Sequence, residues 1–122
     1  MGPPVMLIHI VEDDAAVCDS MSLLLSESGC DVISHCDAES FLAAAPPGGD
    51  DVVFIDLVLP GLGGAAVVRW LQALKHPPRI VVMSGQSKRR IELELDGLGR
   101  LQVLRKPLTR DAVAAHVALG AC

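Results

Sequence analysis

Five side chains have types and spacing suited to holding a cation and a phosphoryl group: Glu12, Asp13, Asp56, Ser84 and Lys106. Asp56 interrupts the apolar run Val52–Leu57, which reads as a strand buried on both faces. A carboxylate there is costly unless it is paired, bound to a metal, or held at the open end of a sheet. Pro60, Gly61, Gly63 and Gly64 stop the strand and make a loop. On this stretch alone, an aspartate that merely caps the next helix is an equal reading. The other four residues tip the balance. Glu12 and Asp13 follow an apolar run at once, Ser84 closes a second, and Lys106 comes two residues after a third. Carboxylates brought together stay ionised at neutral pH only with a cation among them. Hard oxygen ligands suit Mg²⁺, which favours phosphate as a further ligand. Lys106 offers a point charge for an anion, and Ser84 a hydroxyl donor. Asp56, the central carboxylate, is then the natural nucleophile for an acyl-phosphate.

The elements needed to bring these residues together can be read in chain order. Val5–Val11 is a first strand, followed by a helix over roughly residues 14–28. That helix carries Val17, Met21, Leu24 and Leu25 on one face and ends at Gly29. Cys30–His35 is a second strand, and Asp37 caps a short helix through Phe41 and Leu42. After Val52–Leu57, a helix over Ala65–Leu74 turns Val67, Val68, Leu71 and Leu74 inward. Ile80–Met83 and Leu101–Leu104 are further strands, and Thr109 caps a last helix with Val113, Val117 and Leu119. Strands alternating with helices imply an α/β fold, a doubly wound parallel sheet with helices on both faces. In such a sheet the carboxyl ends of all strands lie on one edge, so the five residues converge on one crevice.

The 122 residues make one domain, 1–122, of common size. Half of them are hydrophobic, but aromatics are scarce, so the core must be aliphatic. A net charge of −5 argues against direct nucleic-acid or anionic-membrane binding. No apolar run is long enough to span a bilayer and no signal peptide is evident, which predicts a cytoplasmic protein. Cys18, Cys30, Cys36 and Cys122 show no metal-ligand spacing and read as free thiols in a reducing compartment. A Cys30–Cys36 bridge is disfavoured by the strand between them.

These motifs bring the chain to a known family. Ile10-Val11-Glu12-Asp13-Asp14, Asp56-Leu57-Val58-Leu59-Pro60-Gly61, Met83-Ser84-Gly85 and Arg105-Lys106-Pro107 resemble the receiver domain of two-component response regulators over essentially the whole length. The resemblance implies the flavodoxin-like receiver fold, with five strands in the order 2-1-3-4-5. It implies that Asp56 takes a phosphoryl group from a sensor histidine kinase or phosphotransfer protein. Asp13, Asp56 and the backbone carbonyl of Val58 would ligate Mg²⁺, with Glu12 helping through a water. Ser84 and Lys106 would hold the phosphoryl oxygens and bias the face of helix four, strand five and helix five. An output domain or separate partner would read that face, and a homodimer is left open.

Plainer roles stand beside these. Ser84 is also placed to cap helix four, and Asp14 to cap helix one. His9 reads as packing within strand one, while His35, His76 and His116 suggest no phosphodonor. Departures from the family pattern are Val103 where an aromatic is usual, apolar Val58, uncharged Gln86, Glu12 for Asp, and Gly63 for Asp or Ser. Val103 keeps a second reading open: a receiver-like interaction module that works without phosphorylation. A third, a Mg²⁺ phosphohydrolase, lacks an acid/base group at Val58.

Local signals conflict only over residues 87–98. Ile91, Leu95 and Leu98 suit a helix face, whereas Ile91, Leu93 and Leu95 alternate with acids as in a strand. Lys88, Arg89 and Arg90 oppose the helix dipole at one end, and Glu92, Glu94 and Asp96 at the other, at ~0.3–1 kcal/mol each. Lys88–Glu92 and Arg90–Glu94 pairs offset part of this. The expectation is a short, irregular or mobile helix, the least stable element of the fold.

Overall fold

The computed structural model describes residues 6–118, with side chains to residue 116. Its elements in chain order are β1 (Leu7–Val11), α1 (Ala15–Glu27), β2 (Asp31–His35), α2 (Ala38–Ala43) and β3 (Val52–Asp56). They continue with α3 (Gly64–Gln72), β4 (Arg79–Ser84), α4 (Lys88–Glu94), β5 (Gln102–Arg105) and α5 (Arg110–Ala118). The five strands are parallel in the order β2-β1-β3-β4-β5, as the resemblance implied. Expectations for Val5, Leu119 and the side chain of Val117 lie outside the described residues.

Alternate side chains of the central strands feed two aliphatic cores. Ile8, Ile10, Phe54, Val81, Met83 and Leu104 pack with Met21 and Leu25 of α1 and Val113 of α5. Val11, Val53, Ile55 and Val82 pack under α2, α3 and α4 through Phe41, Val67, Leu71 and Ile91. All five residues of β3 are buried, as the sequence required of a strand covered on both sides. Ile33 is exposed, because β2 is an edge strand.

Helix caps follow the sequence closely. Asp14 accepts from the backbone N–H groups of Ala16 and Val17. Asp37 accepts from Ser40, and Thr109 from Ala112. Helix α4 is capped by Ser87, which accepts from Arg90, and not by Ser84. Ser84 closes β4 and its hydroxyl points elsewhere. The disputed segment is short, as expected, but it is regular helix over seven residues. Burial of Ile91 and Leu98 overrides the strand-like alternation. Arg90–Glu94 forms at 3.1 Å, whereas Lys88–Glu92 makes no ion pair. The first turn holds no acid and the last no base, so the dipole stays opposed.

The free-thiol reading holds for Cys18 and Cys36 but not for Cys30, which is disulfide-bonded. Cys30 is buried in the same core cluster as Met21 and Leu25, and the expectation for Cys122 lies outside the described residues. Spacing along the chain does not report a contact made in space.

A buried polar knot ties the amino-terminal edge of the sheet. Asp51 accepts from Leu7 N at 3.2 Å, Gly48 N at 2.9 Å and His9 Nε2 at 3.0 Å. Its own carbonyl accepts from Arg79 N. One residue therefore joins β1, β4 and the loop before β3. His9 is buried, and its ring lies edge-on to Phe41. Burial alone would raise the Asp51 pKa, but His9 and the N–H groups of Gly48 and Leu7 outweigh it and hold it low.

Two predictions follow from these contacts. A carboxylate lowered below its unfolded pKa of about 3.9 stabilises the fold fully above that value, and loses this contribution as pH falls through the folded pKa. Asp51→Ala should cost about 2–4 kcal/mol in urea unfolding at pH 7. The cost should shrink in acid below the unfolded value; the same cost at both pH values would refute the pairing. In hydrogen exchange, amides of residues 91–95 should exchange faster than those of residues 67–71. Equal protection would show that α4 is no weaker than α3.

Candidate functional site

The carboxyl edge of the sheet carries the chemistry. Glu12 directly follows β1, and its N–H donates to the His35 carbonyl, which continues the ladder. Asp56 ends β3, and the next N–H, of Leu57, donates to Met83. The Val58 N–H then turns back to Asp56 Oδ1 at 2.9 Å and fixes that carboxylate. Gly64 lets α3 begin against this strand end: a Cβ there would overlap the Asp56 carbonyl oxygen and the Leu57 Cα. The Lys106 N–H donates to the Ser84 carbonyl at 2.9 Å, and the Lys106–Pro107 peptide is cis.

Lys106 reaches across the edge. Its Nζ donates to Glu12 Oε1 at 2.6 Å and to Asp56 Oδ2 at 2.9 Å. Glu12 is almost wholly buried, and Asp56 nearly so. Asp13 is exposed, yet one oxygen from each of Glu12, Asp13 and Asp56 lies within 4.8 Å of the others. Burial, then the hydrogen bond and negative charge of Asp56, push Glu12 up to about 7, against the pull of Lys106. Burial alone would lower the Lys106 pKa, but Glu12 and Asp56 raise it, so the ammonium stays charged. Three acids with one ammonium leave an excess of negative charge open to solvent at Asp13. Closely spaced oxygens of that kind suit a small hard cation.

Ser84 is fully buried at the end of β4. Its hydroxyl donates to Gln86 Oε1 at 3.2 Å and accepts from Gln86 N at 3.1 Å. The five residues expected to converge do lie on this one edge, and Val58 lies in the loop after Asp56, with its side chain exposed. Three contacts were not anticipated. Lys106 bridges two carboxylates, Gln86 engages Ser84, and Glu39 of α2 accepts from Leu62 N at 3.3 Å, steadying the loop after Asp56. Glu39 stands in the first turn of α2, and its reach to residue 62 has no local sequence signal.

Comparisons with known proteins agree with this geometry. The model of the response regulator receiver domain matches residues 8–118. The transcriptional regulatory protein FixJ of Bradyrhizobium diazoefficiens is 33% identical over 110 residues, which is 90% of this chain and 54% of FixJ. The sensory transduction protein RegX3 of Mycolicibacterium smegmatis is 32% identical over 110 residues, 90% of this chain and 48% of RegX3. The chain thus spans about half the length of these relatives. Among solved structures, that of FixJ-N has a TM-score of 0.81 at 27% identity, covering 97% of this chain and 94% of the other. The response regulator DrrB of Thermotoga maritima has the same fold, with a TM-score of 0.81 at 21% identity over 93% of this chain and 51% of that one. No helix among the described residues is long and apolar enough to cross a membrane. Fold, crevice and family match converge: the chain belongs to the response regulator receiver domains of two-component systems.

Proposed function

We propose that Asp56 is the phosphoacceptor of a Mg²⁺-dependent phosphorelay. The observation that supports it best is the Lys106 bridge, which puts a fixed positive charge 2.9 Å from an Asp56 oxygen. The donor is a phosphohistidine of a sensor histidine kinase or phosphotransfer protein. An Asp56 oxygen attacks phosphorus, the phosphorus–nitrogen bond breaks, and the imidazole leaves with the electron pair. Lys106 Nζ follows the charge from the carboxylate to the phosphoryl oxygens, and the Ser84 hydroxyl donates to another. Asp13, Asp56 and the Val58 carbonyl, with help from Glu12, would hold Mg²⁺, which would supply positive charge beside those oxygens. An apolar groove of about 300 Å³ adjoins Lys106, lined by Val17, Met21, Pro107, Leu108 and Val113, and offers the donor protein a docking surface.

The modified state is read on the face of α4, β5 and α5, by an output segment as in a transcriptional regulator or by a separate partner. A homodimer through that face would serve the same end. The protein acts in the cytoplasm as a signalling domain, with no direct contact to nucleic acid or membrane. Residues 1–122 form one domain. Val58 is exposed and apolar, so no second acid/base group stands where a phosphohydrolase needs one.

With Mg²⁺ and acetyl phosphate, intact mass should rise by one phosphoryl group, and Asp56→Asn should abolish the gain. Labelling that survives this substitution moves the acceptor elsewhere, and no labelling of the native protein favours the phosphorylation-independent module. Titration calorimetry should show Asp13→Ala weakening Mg²⁺ binding by tenfold or more, on the order of the loss of one metal-ligating group. In Mg²⁺-free buffer the same variant should melt slightly higher, since one repelling charge is gone. Unchanged Mg²⁺ affinity would remove Asp13 from the ligand set.

A further inference from the structure

The hydroxyl of Ser84 does not stand alone. Gln86 holds it from two sides, with Oε1 accepting at 3.2 Å and the backbone N–H donating at 3.1 Å. The same carboxamide turns its Nε2 to Glu94 Oε1, at 3.1 Å, on the last turn of α4. Arg90 Nε meets that same Glu94 oxygen at 3.1 Å. From β5, Arg105 donates to the Gln86 carbonyl at 2.9 Å. One side chain thus spans from the buried end of β4 to the end of α4, while its backbone is pinned to β5.

We propose that Gln86 is a positioning residue that couples the state of Asp56 to α4. It holds the Ser84 hydroxyl and the carboxyl end of α4 together in the unmodified protein, and releases α4 when Ser84 turns to a phosphoryl oxygen. The inference rests on the phosphoacceptor reading above. Ser84 has one hydroxyl proton and is fully buried, so that proton always has a partner. A phosphoryl oxygen is a charged acceptor and outcompetes a neutral carboxamide oxygen. When the proton moves, Gln86 Oε1 loses its donor and the carboxamide is held only through Nε2. That remaining bond ends on Glu94, which Arg90 already engages. The amide then exchanges its partners for water, and the end of α4 loses its tie to β4. Helix α4 is the element most open to such a change. It has seven residues, an opposed dipole, and a single buried residue, Ile91. Val103 on β5 is small and only partly buried, and it packs against the same core as Ile91, so no ring beside α4 transmits the change.

The test uses Gln86→Met, which keeps length and removes both hydrogen-bonding ends, and Glu94→Gln, which retains an acceptor but weakens it. Hydrogen exchange of residues 91–95 is followed by mass spectrometry, with and without Mg²⁺ and acetyl phosphate, and intact mass reports loading. Unmodified Gln86→Met should exchange roughly three- to tenfold faster than the native protein, the effect of losing about one net hydrogen bond. Glu94→Gln should fall between them. On loading, the native protein should rise to the rate of Gln86→Met, and the variant should not change further. A residue that merely packs the loop would give a difference that persists on loading. Persistence, or no difference in the unmodified state, overturns the coupling. If the native protein gains no phosphoryl mass, the phosphoacceptor reading fails and takes the coupling with it; if mass is gained and the rates do not converge, the coupling alone fails.

Discussion

Repulsion among Glu12, Asp13 and Asp56 is the constraint around which the carboxyl edge is arranged. The fold forces two of these acids nearly out of water at the ends of adjacent parallel strands. Left alone, they would protonate or push the strand ends apart. Lys106 answers with one ammonium shared between Glu12 and Asp56. It can do so because β4 lies between β3 and β5, and the Lys106 N–H is fixed to Ser84 at the end of β4. The compensation is incomplete: Glu12 is pushed up to about 7, and Asp13 is left outside the bridge. A site in this condition stores a preference for more positive charge, which a small cation satisfies.

The two edges of the sheet handle buried charge in opposite ways. At the amino edge, Asp51 meets an imidazole and two backbone N–H groups, and its acidity is strengthened. Every oxygen there has a partner, and the arrangement has nothing to gain from a ligand. At the carboxyl edge the oxygens of Glu12 and Asp56 are also paired, but three acids share one ammonium, and burial weakens the acidity of Glu12. The carboxylate at the amino edge is charge-balanced, and the cluster at the carboxyl edge is left short of positive charge. The difference comes from the number of acids at each edge: one carboxylate at the amino edge, and three around a single ammonium at the other.

Much of this was written in the sequence. The continuous apolar run ending at Asp56 gave β3, and the acids, hydroxyl and ammonium that follow β1, β4 and β5 gave the crevice. Asp14, Asp37 and Thr109 announced their helices by type and position. What escaped detection shares one physical character: it depends on partners distant in sequence and chosen by geometry. Asp51 joins β1 to β4, and nothing in its local sequence marks it for that, because both partners are set by the sheet order. Cys30 gave no spacing signal for its bridge. Ser84 and Ser87 are equally good caps by type, and the register of α4 alone selects Ser87.

Helix α4 shows how far local rules reach. Its charges oppose its dipole at both ends, and its apolar pattern fits a strand as well as a helix. Contacts outside the helix decide the outcome: Ile91 and Leu98 reach the core beneath, and Gln86, from the loop after β4, holds a Glu94 oxygen. A helix with strong intrinsic propensity would keep its shape whatever happened at Ser84. A seven-residue helix near the nucleation limit takes its stability from such contacts and is sensitive to each of them. Weak local encoding thus leaves this element dependent on its neighbours. The features that left residues 87–98 ambiguous in the sequence are the ones that leave α4 dependent on its packing, since local propensity contributes little to it.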